Sequence, residues 1–198
     1  MINFRVFVLT VRRQVIREPL HLRLKVRISM NILETDRLIL CKLSPDDAAF
    51  ILELLNDPSF LQFIGDKGVR TLDDARDYIL NGPIDSYERF GFGLYLTKLK
   101  DGGAPIGICG LLKRDTLQDV DIGFAFLPEF GSKGYAFESA SAVRVYGLND
   151  LGVNRIVAVT LPENHKSIKL LEKLGLRFEK MVRLHDDGPE DKLFVPAV

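Results

Sequence analysis

Apolar and polar positions alternate between two periods along this chain, and the switches between them lay out its elements in order. Leu38 to Leu43 reads as a strand. Ser44-Pro45-Asp46-Asp47 then opens a helix, with Ser44 as N-cap, a proline at the first helical position and acids in the first turn. Ala48, Ile51, Leu52 and Leu55 give that helix its apolar stripe, and Asn56-Asp57-Pro58 stops it. Thr71 and Asp74 cap a second helix, which Asn81-Gly82-Pro83 ends, with a further helical turn or two from Ile84 to Arg89. Three strand patterns follow at Phe92–Leu99, Pro105–Leu112 and Val120–Phe126, the first two joined by an Asp101-Gly102-Gly103 turn, which predicts an antiparallel meander. After Pro128 come a helix from Lys133 to Asn149, a strand at Arg155–Thr160, a helix from His165 to Leu174 closed by Gly175, and a last pair of strands at Phe178–Leu184 and Lys192–Val195. The expected fold is mixed α/β (α+β): about seven mostly antiparallel strands flanked by about four helices, in a single domain over residues 30–198.

Composition narrows the class. With 198 residues, 46% of them apolar and 27% charged, the chain has enough apolar content for one sizeable core. No apolar run approaches the roughly 18 to 20 residues that span a bilayer, so no membrane association is expected and the cytoplasm is the default location. Cys41 and Cys109 stand far apart inside strand-like runs and read as reduced core residues. His21, His165 and His185 are scattered without partners at ligand spacing, so no metal is expected. The net charge of zero conceals an asymmetry, because residues 1–29 carry six Arg and one Lys against Glu18 alone. The remainder is therefore mildly acidic, which argues against direct nucleic-acid binding. Residues 1–29 lack the clean apolar stretch of a secretory signal and read as a basic extension upstream of a natural start at Met30.

Candidate chemistry centres on the step from strand to helix at Leu127-Pro-Glu-Phe-Gly-Ser-Lys-Gly-Tyr-Ala136. A glycine-containing turn opening a helix makes an anion site, since uncapped N–H groups and the helix dipole aim at one spot. Neither G-x-x-x-x-G-K-[ST] nor a G-x-G-x-x-G after the first strand occurs, so the usual nucleotide frameworks are excluded. The segment instead resembles the pyrophosphate loop of the GNAT acetyltransferases, Q/R-x-x-G-x-G/A. Pro162-Glu-Asn-His-Lys-Ser-Ile-Lys-Leu-Leu-Glu-Lys-Leu-Gly175 resembles that family's N-x-x-S-x-x-L-x-x-K-L-G-F helix. Glu34-Thr-Asp-Arg-Leu-Ile-Leu40 is similar to the opening of the RimJ/RimL-type branch, the ribosomal-protein alanine N-acetyltransferases. Two departures stand out: Glu129 replaces Gln or Arg, and Ser132 replaces the first Gly, with Gly131 beside it as a source of the lost flexibility.

The resemblance implies acetyl-CoA as cosubstrate and a V-shaped splay between the fourth and fifth strands. In that slot the pantetheine arm would bond backbone groups around Phe124 and Phe126, with its phosphates on Gly131, Ser132, Lys133, Gly134, Tyr135 and Ala136. Asn164 would contact the pantetheine and Ser167 would sit near the sulfur, or Asn164 is simply the N-cap of its helix with Ser167 in the first turn. Asp121 is a candidate general base, or else a solvated carboxylate at a strand edge. Lys133 is either a phosphate contact or solvated, Tyr135 a donor or a packing residue. Phe60, Phe63 and Phe90 either line an acceptor pocket or pack in the core. The implied activity is direct acetyl transfer to a primary amine, a protein N-terminal α-amine first, by a monomer or homodimer. The alternatives are a small-molecule amine such as a polyamine or antibiotic, and a catalytically silent CoA-binding module.

Overall fold

In the computed structural model, residues 31–184 and 188–197 are described. The basic extension and His185 lie outside them. Eight strands form one sheet: β1 (Asn31–Glu34), β2 (Leu38–Lys42), β3 (Leu94–Leu99), β4 (Pro105–Leu112), β5 (Val120–Phe126), β6 (Ile156–Thr160), β7 (Leu176–Arg183) and β8 (Glu190–Pro196). Their order is β1-β2-β3-β4-β5-β6-β8-β7. Every pairing is antiparallel except β5 with β6. The strand added to the expected seven is β1, a four-residue edge whose alternation is too short to register as a period.

The helices are α1 (Ala48–Leu55), α2 (Pro58–Phe63), α3 (Leu72–Ile79), α4 (Asp85–Phe90), α5 (Tyr135–Asn149) and α6 (His165–Lys173). Ser44-Pro45 opens a short 3-10 turn leading into α1, where Asp47 accepts from both the N–H and the hydroxyl of Ser44. The buried face of α1 is Ala48, Phe50, Ile51, Leu54 and Leu55, with Leu52 turned half out. Pro58 does end α1, but it also starts α2 as a first-turn proline, with Asp57 capping the Ser59 N–H at 2.9 Å. The expected break at Asn81-Gly82-Pro83 is instead a π turn over Leu80–Ile84 that carries the chain from α3 straight into α4. A widened turn passes the buried Pro83, which has no N–H to give, without ending the helical run.

Two apolar layers sandwich the sheet. On one face α5 and α6 cover Leu38, Leu40, Ile106, Leu111, Ile122 and Phe194. On the other, α1 and α3 cover Cys41, Leu43, Leu96 and Ile108. Gly147 lets α5 approach closely: a Cβ there would fall 2.8 Å from both Ile156 Cδ1 and Leu111 Cδ1. Tyr87 locks α4 to the sheet, stacked on Tyr95 at 5.6 Å, accepting from the Leu43 N–H and donating to the Leu94 carbonyl. Burial pushes the Tyr87 phenol well up from its ordinary range and Tyr95 up to about 12, so both stay neutral.

Candidate active site

The parallel strands β5 and β6 pair at two positions only, Val120 with Ile156 and Asp121 with Val157. Beyond that point β6 turns to β8, from Ala158 to Thr160, while β5 stays on β4 as far as Phe126. The result is a V that opens toward the C-terminal ends of both strands. The Leu127 N–H donates to the Ile106 carbonyl at 3.0 Å, so strand alternation turns the backbone groups of Ala125 and Gly123 toward β4 and those of Phe124 and Phe126 into the slot. Among the described residues those slot-facing groups have no strand partner, and they suit a ligand with peptide-like hydrogen bonding.

Each strand of the V runs into a helix N-terminus. From β5 the chain makes a 3-10 turn at Pro128–Phe130, then Ser132 and Gly134 take left-handed conformations with φ of 58° and 85°. Gly131 is extended at φ −64°, so it does not relieve Ser132; the residue that departs from the family pattern carries the glycine-like conformation itself. Among the described residues no side chain caps α5, and its first intrahelical bond is Glu138 N–H to Gly134 O at 3.0 Å, leaving the N–H groups of Tyr135, Ala136 and Phe137 without intrahelical acceptors. These amides, on half-buried residues, and the dipole of a 15-residue helix stand at the end of the chain segment that leaves β5.

Arg37 fixes this loop in place. Its Nε donates to Glu138 Oε2 at 2.7 Å, its own N–H to Oε1 at 2.9 Å and its Nη1 to the Lys133 carbonyl at 3.0 Å, while the guanidinium lies 4.5 Å over the Tyr135 ring. Thr35 donates to the same carboxylate at 2.5 Å. Sequence reasoning assigned Arg37 no role, although the residue sits in the Glu34–Leu40 segment that carries the branch resemblance. From β6, Pro162 and Glu163 lead to α6, where Asn164 Oδ1 accepts from the Ser167 N–H at 3.1 Å. That oxygen is an N-cap, but Asn164 Nδ2 and Ser167 Oγ have no partner among the described residues.

Residues 37–177 match the acetyltransferase (GNAT) domain family. The chain belongs to the GNAT acetyltransferases. It is 30% identical over 145 residues to the uncharacterized N-acetyltransferase YnaD of Bacillus subtilis (strain 168), covering 73% of this chain and 82% of that one. It is similar in structure to an acetyltransferase (GNAT family) from Bacillus anthracis, with a TM-score of 0.68 and 26% identity over 82% of this chain and 95% of that one. RimL, a ribosomal L7/L12 alpha-N-protein acetyltransferase solved in complex with coenzyme A, shares the fold at a TM-score of 0.72 and 15% identity, over 85% of this chain and 98% of that one.

In this GNAT acetyltransferase Asp121 is no solvated carboxylate. It is 1% exposed, at the vertex of the V, and both its oxygens accept from Arg114 Nε at 3.1 Å. Burial raises its pKa and the Arg114 cation opposes that rise. Burial pushes the Cys109 thiol up to about 12, so it presents no thiolate for a covalent acyl intermediate, and Cys41 is buried in the opposite apolar layer. Lys133 is exposed and bends over the Phe130 ring at 5.5 Å, and Tyr135 packs half-buried beneath Arg37. Phe60 is a core residue at 4% exposure, whereas Phe63 is half-buried and Phe90 exposed. No group of three His, Cys, Asp or Glu able to hold a metal occurs among the described residues, and none of their helices is long and apolar enough to cross a membrane.

Proposed function

We propose that this acetyltransferase moves the acetyl group of acetyl-CoA directly onto a primary α-amine, with protein N-termini as the acceptor class. The slot carries the reading: unpaired backbone of Phe124 and Phe126 lies between two helix N-termini, so one ligand can be peptide-like in the V and anionic at the α5 amides. That combination suits a pantetheine arm joined to a pyrophosphate, and the CoA complex of RimL supports it. Ser132, Lys133, Gly134, Tyr135 and Ala136 then offer backbone N–H groups to the phosphates, while Asn164 Nδ2 donates to the arm.

The neutral amine nitrogen attacks the thioester carbonyl, the oxyanion gathers on N–H groups of the splayed strand, and collapse breaks the C–S bond; the proton lost by the nitrogen passes to the departing thiolate through Ser167 Oγ or to water, giving the amide and CoA. Ser167 Oγ stands near the sulfur as a donor. A thiol with a pKa near about 8.5 leaves with little help, so Ser167 aids the step without being indispensable. Asp121 is tied to Arg114 and closed to solvent, which leaves the site without a strong accessible base. A terminal α-amine, with a pKa near about 8, is already partly neutral at pH 7, whereas a lysine near about 10.4 is almost wholly protonated. The site therefore favours the α-amine, and the structural likeness to an N-terminal acetyltransferase supports the same class.

Incubation with acetyl-CoA and a panel of short peptides, polyamines and aminoglycosides, with released CoA thiol as the readout, tests this. Peptide α-amines are expected to turn over best, and Gly134→Glu, which places a carboxylate at the anion site, is expected to weaken acetyl-CoA at least about tenfold. Absence of both thiol release and acetyl-CoA binding by calorimetry sinks the reading.

A further inference from the structure

Acetyl transfer as described gives no task to Arg37, a residue of the β1–β2 turn that grips the head of α5 from 96 to 101 positions away in sequence. Its own carbonyl accepts from the Lys100 N–H at 2.9 Å, which pins the turn to the end of β3. From that base the guanidinium forks. Nη2 pairs with Glu138 Oε2 at 2.6 Å, Nε donates to the same oxygen at 2.7 Å, and Nη1 takes the Lys133 carbonyl at 3.0 Å. A Cβ on Gly134 would lie 3.3 Å from Nη2, so the cation closes directly against the glycine that precedes the helix.

A peptide unit is planar and, here, trans, so its carbonyl and its N–H point opposite ways. With the Lys133 carbonyl held by Arg37, the Gly134 N–H is turned away from the guanidinium, and it has no acceptor among the described residues. Glu138 lies in the first turn of α5, where the helix dipole draws a carboxylate toward the uncapped N–H groups. It is held elsewhere. Its Oε1 accepts from the Arg37 N–H at 2.9 Å and the Thr35 hydroxyl at 2.5 Å, and its Oε2 belongs to the guanidinium. Released, that charge would stand beside the amides of Tyr135, Ala136 and Phe137 and repel an incoming anion.

Resting on the acetyl-transfer reading above, we infer that Arg37 is the positioning residue of the phosphate site: it sets the Gly134 amide and withdraws the Glu138 carboxylate, so that the head of α5 meets the cofactor's phosphates uncapped. Arg37 acts through these two groups and not by touching the cofactor. A lysine there would keep the charge but lack the planar fork that holds a carboxylate and a carbonyl at once. The effect belongs to the phosphate end of the donor, because a thioester without phosphates makes no use of these amides.

The test compares acetyl-CoA with S-acetylpantetheine, the same thioester without the phosphates, at a saturating acceptor peptide. Arg37→Ala is expected to raise KM for acetyl-CoA about tenfold or more while kcat falls less than about threefold, and kcat/KM for S-acetylpantetheine should fall far less than that for acetyl-CoA. Removing the freed carboxylate too, in Arg37→Ala/Glu138→Ala, should bind CoA at least about threefold more tightly than Arg37→Ala in calorimetry. Should Arg37→Ala not fold, Arg37→Lys carries the same comparison, with a rise in acetyl-CoA KM of about threefold or more. Equal losses with the two donors, a fall in kcat at unchanged KM, or a double variant no tighter than the single overturns the inference. If the parent protein binds CoA but acetylates nothing, the transfer reading fails alone and calorimetry decides the role of Arg37: CoA weakened by Arg37→Ala and regained in the double variant upholds it, and unchanged affinity overturns it. A parent protein that does not bind CoA overturns both.

Discussion

Ser132 shows how a single residue stores cost in the loop that leads into α5. An L-residue in the left-handed region is strained by about 1 kcal/mol, and Ser132 holds φ 58° with no neighbour sharing the burden. Replacing it by Gly removes that strain but adds freedom to the unfolded chain, so the net gain is smaller than the strain. Ser132→Gly is expected to raise Tm by about 1–3 °C in scanning calorimetry, since about 1 kcal/mol moves a domain of this size by roughly 2–4 °C. A lower Tm would show that the serine is not strained there. Sequence exposed the departure at Ser132 but placed the compensating flexibility at Gly131, because composition shows which residues tolerate a positive φ and not which one the turn demands. Asp121 was ambiguous for a similar reason. Its partner Arg114 lies seven positions away across a hairpin, and nothing local distinguishes a buried ion pair from an exposed carboxylate.

At the scale of elements, the loop depends on a tie between the β1–β2 turn and the first turn of α5. Burial works against the Glu138 carboxylate, but hydrogen bonds from Thr35 and Arg37 outweigh it and hold its pKa below the ordinary value. A carboxyl depressed in the folded state contributes stability that is fully present above its unfolded pKa, about 4.3, and is lost as pH falls through the folded value. Glu138→Gln is therefore expected to cost about 1 kcal/mol or less at neutral pH, solvent screening of the half-exposed Arg37 being counted. The gap to the parent protein should close as pH falls below about 4. Tm measured for both proteins from pH 7 to pH 3 checks this, and a gap that persists at the acid end refutes it. Helix signals were legible where caps and stripes agree, as at Thr71 with Asp74 and Asn164 with Ser167. At Pro58 they gave the end of α1 but not the start of α2, and at Pro83 they missed the π turn, because a proline that forbids one helical bond also suits a first turn or a widened one, and the choice rests on packing around it.

Across the whole molecule the sheet is two unequal halves, β1 to β5 and β6-β8-β7, held together along their backbones by two rungs at Val120–Asp121 and Ile156–Val157. The meander was legible because consecutive strands joined by short turns pair with each other. The insertion of β8 between β6 and β7 was not, since a hairpin's pattern is the same whichever of its strands meets the sheet. On the proposed function, that junction would respond to a ligand in the slot. Coenzyme A lying along β5 would give the Phe124 and Phe126 amides acceptors they lack, while the Leu127 amide keeps its bond to Ile106. Hydrogen exchange read residue by residue is expected to slow at Phe124 and Phe126 by about tenfold or more when CoA is added, with Leu127 changing much less. At a hundredfold excess over Kd the ligand contributes about 2.7 kcal/mol, a rise in Tm of roughly 5–10 °C. Thermal stabilisation without selective protection at Phe124 and Phe126 would place CoA at the helix N-termini alone and remove the slot from the mechanism.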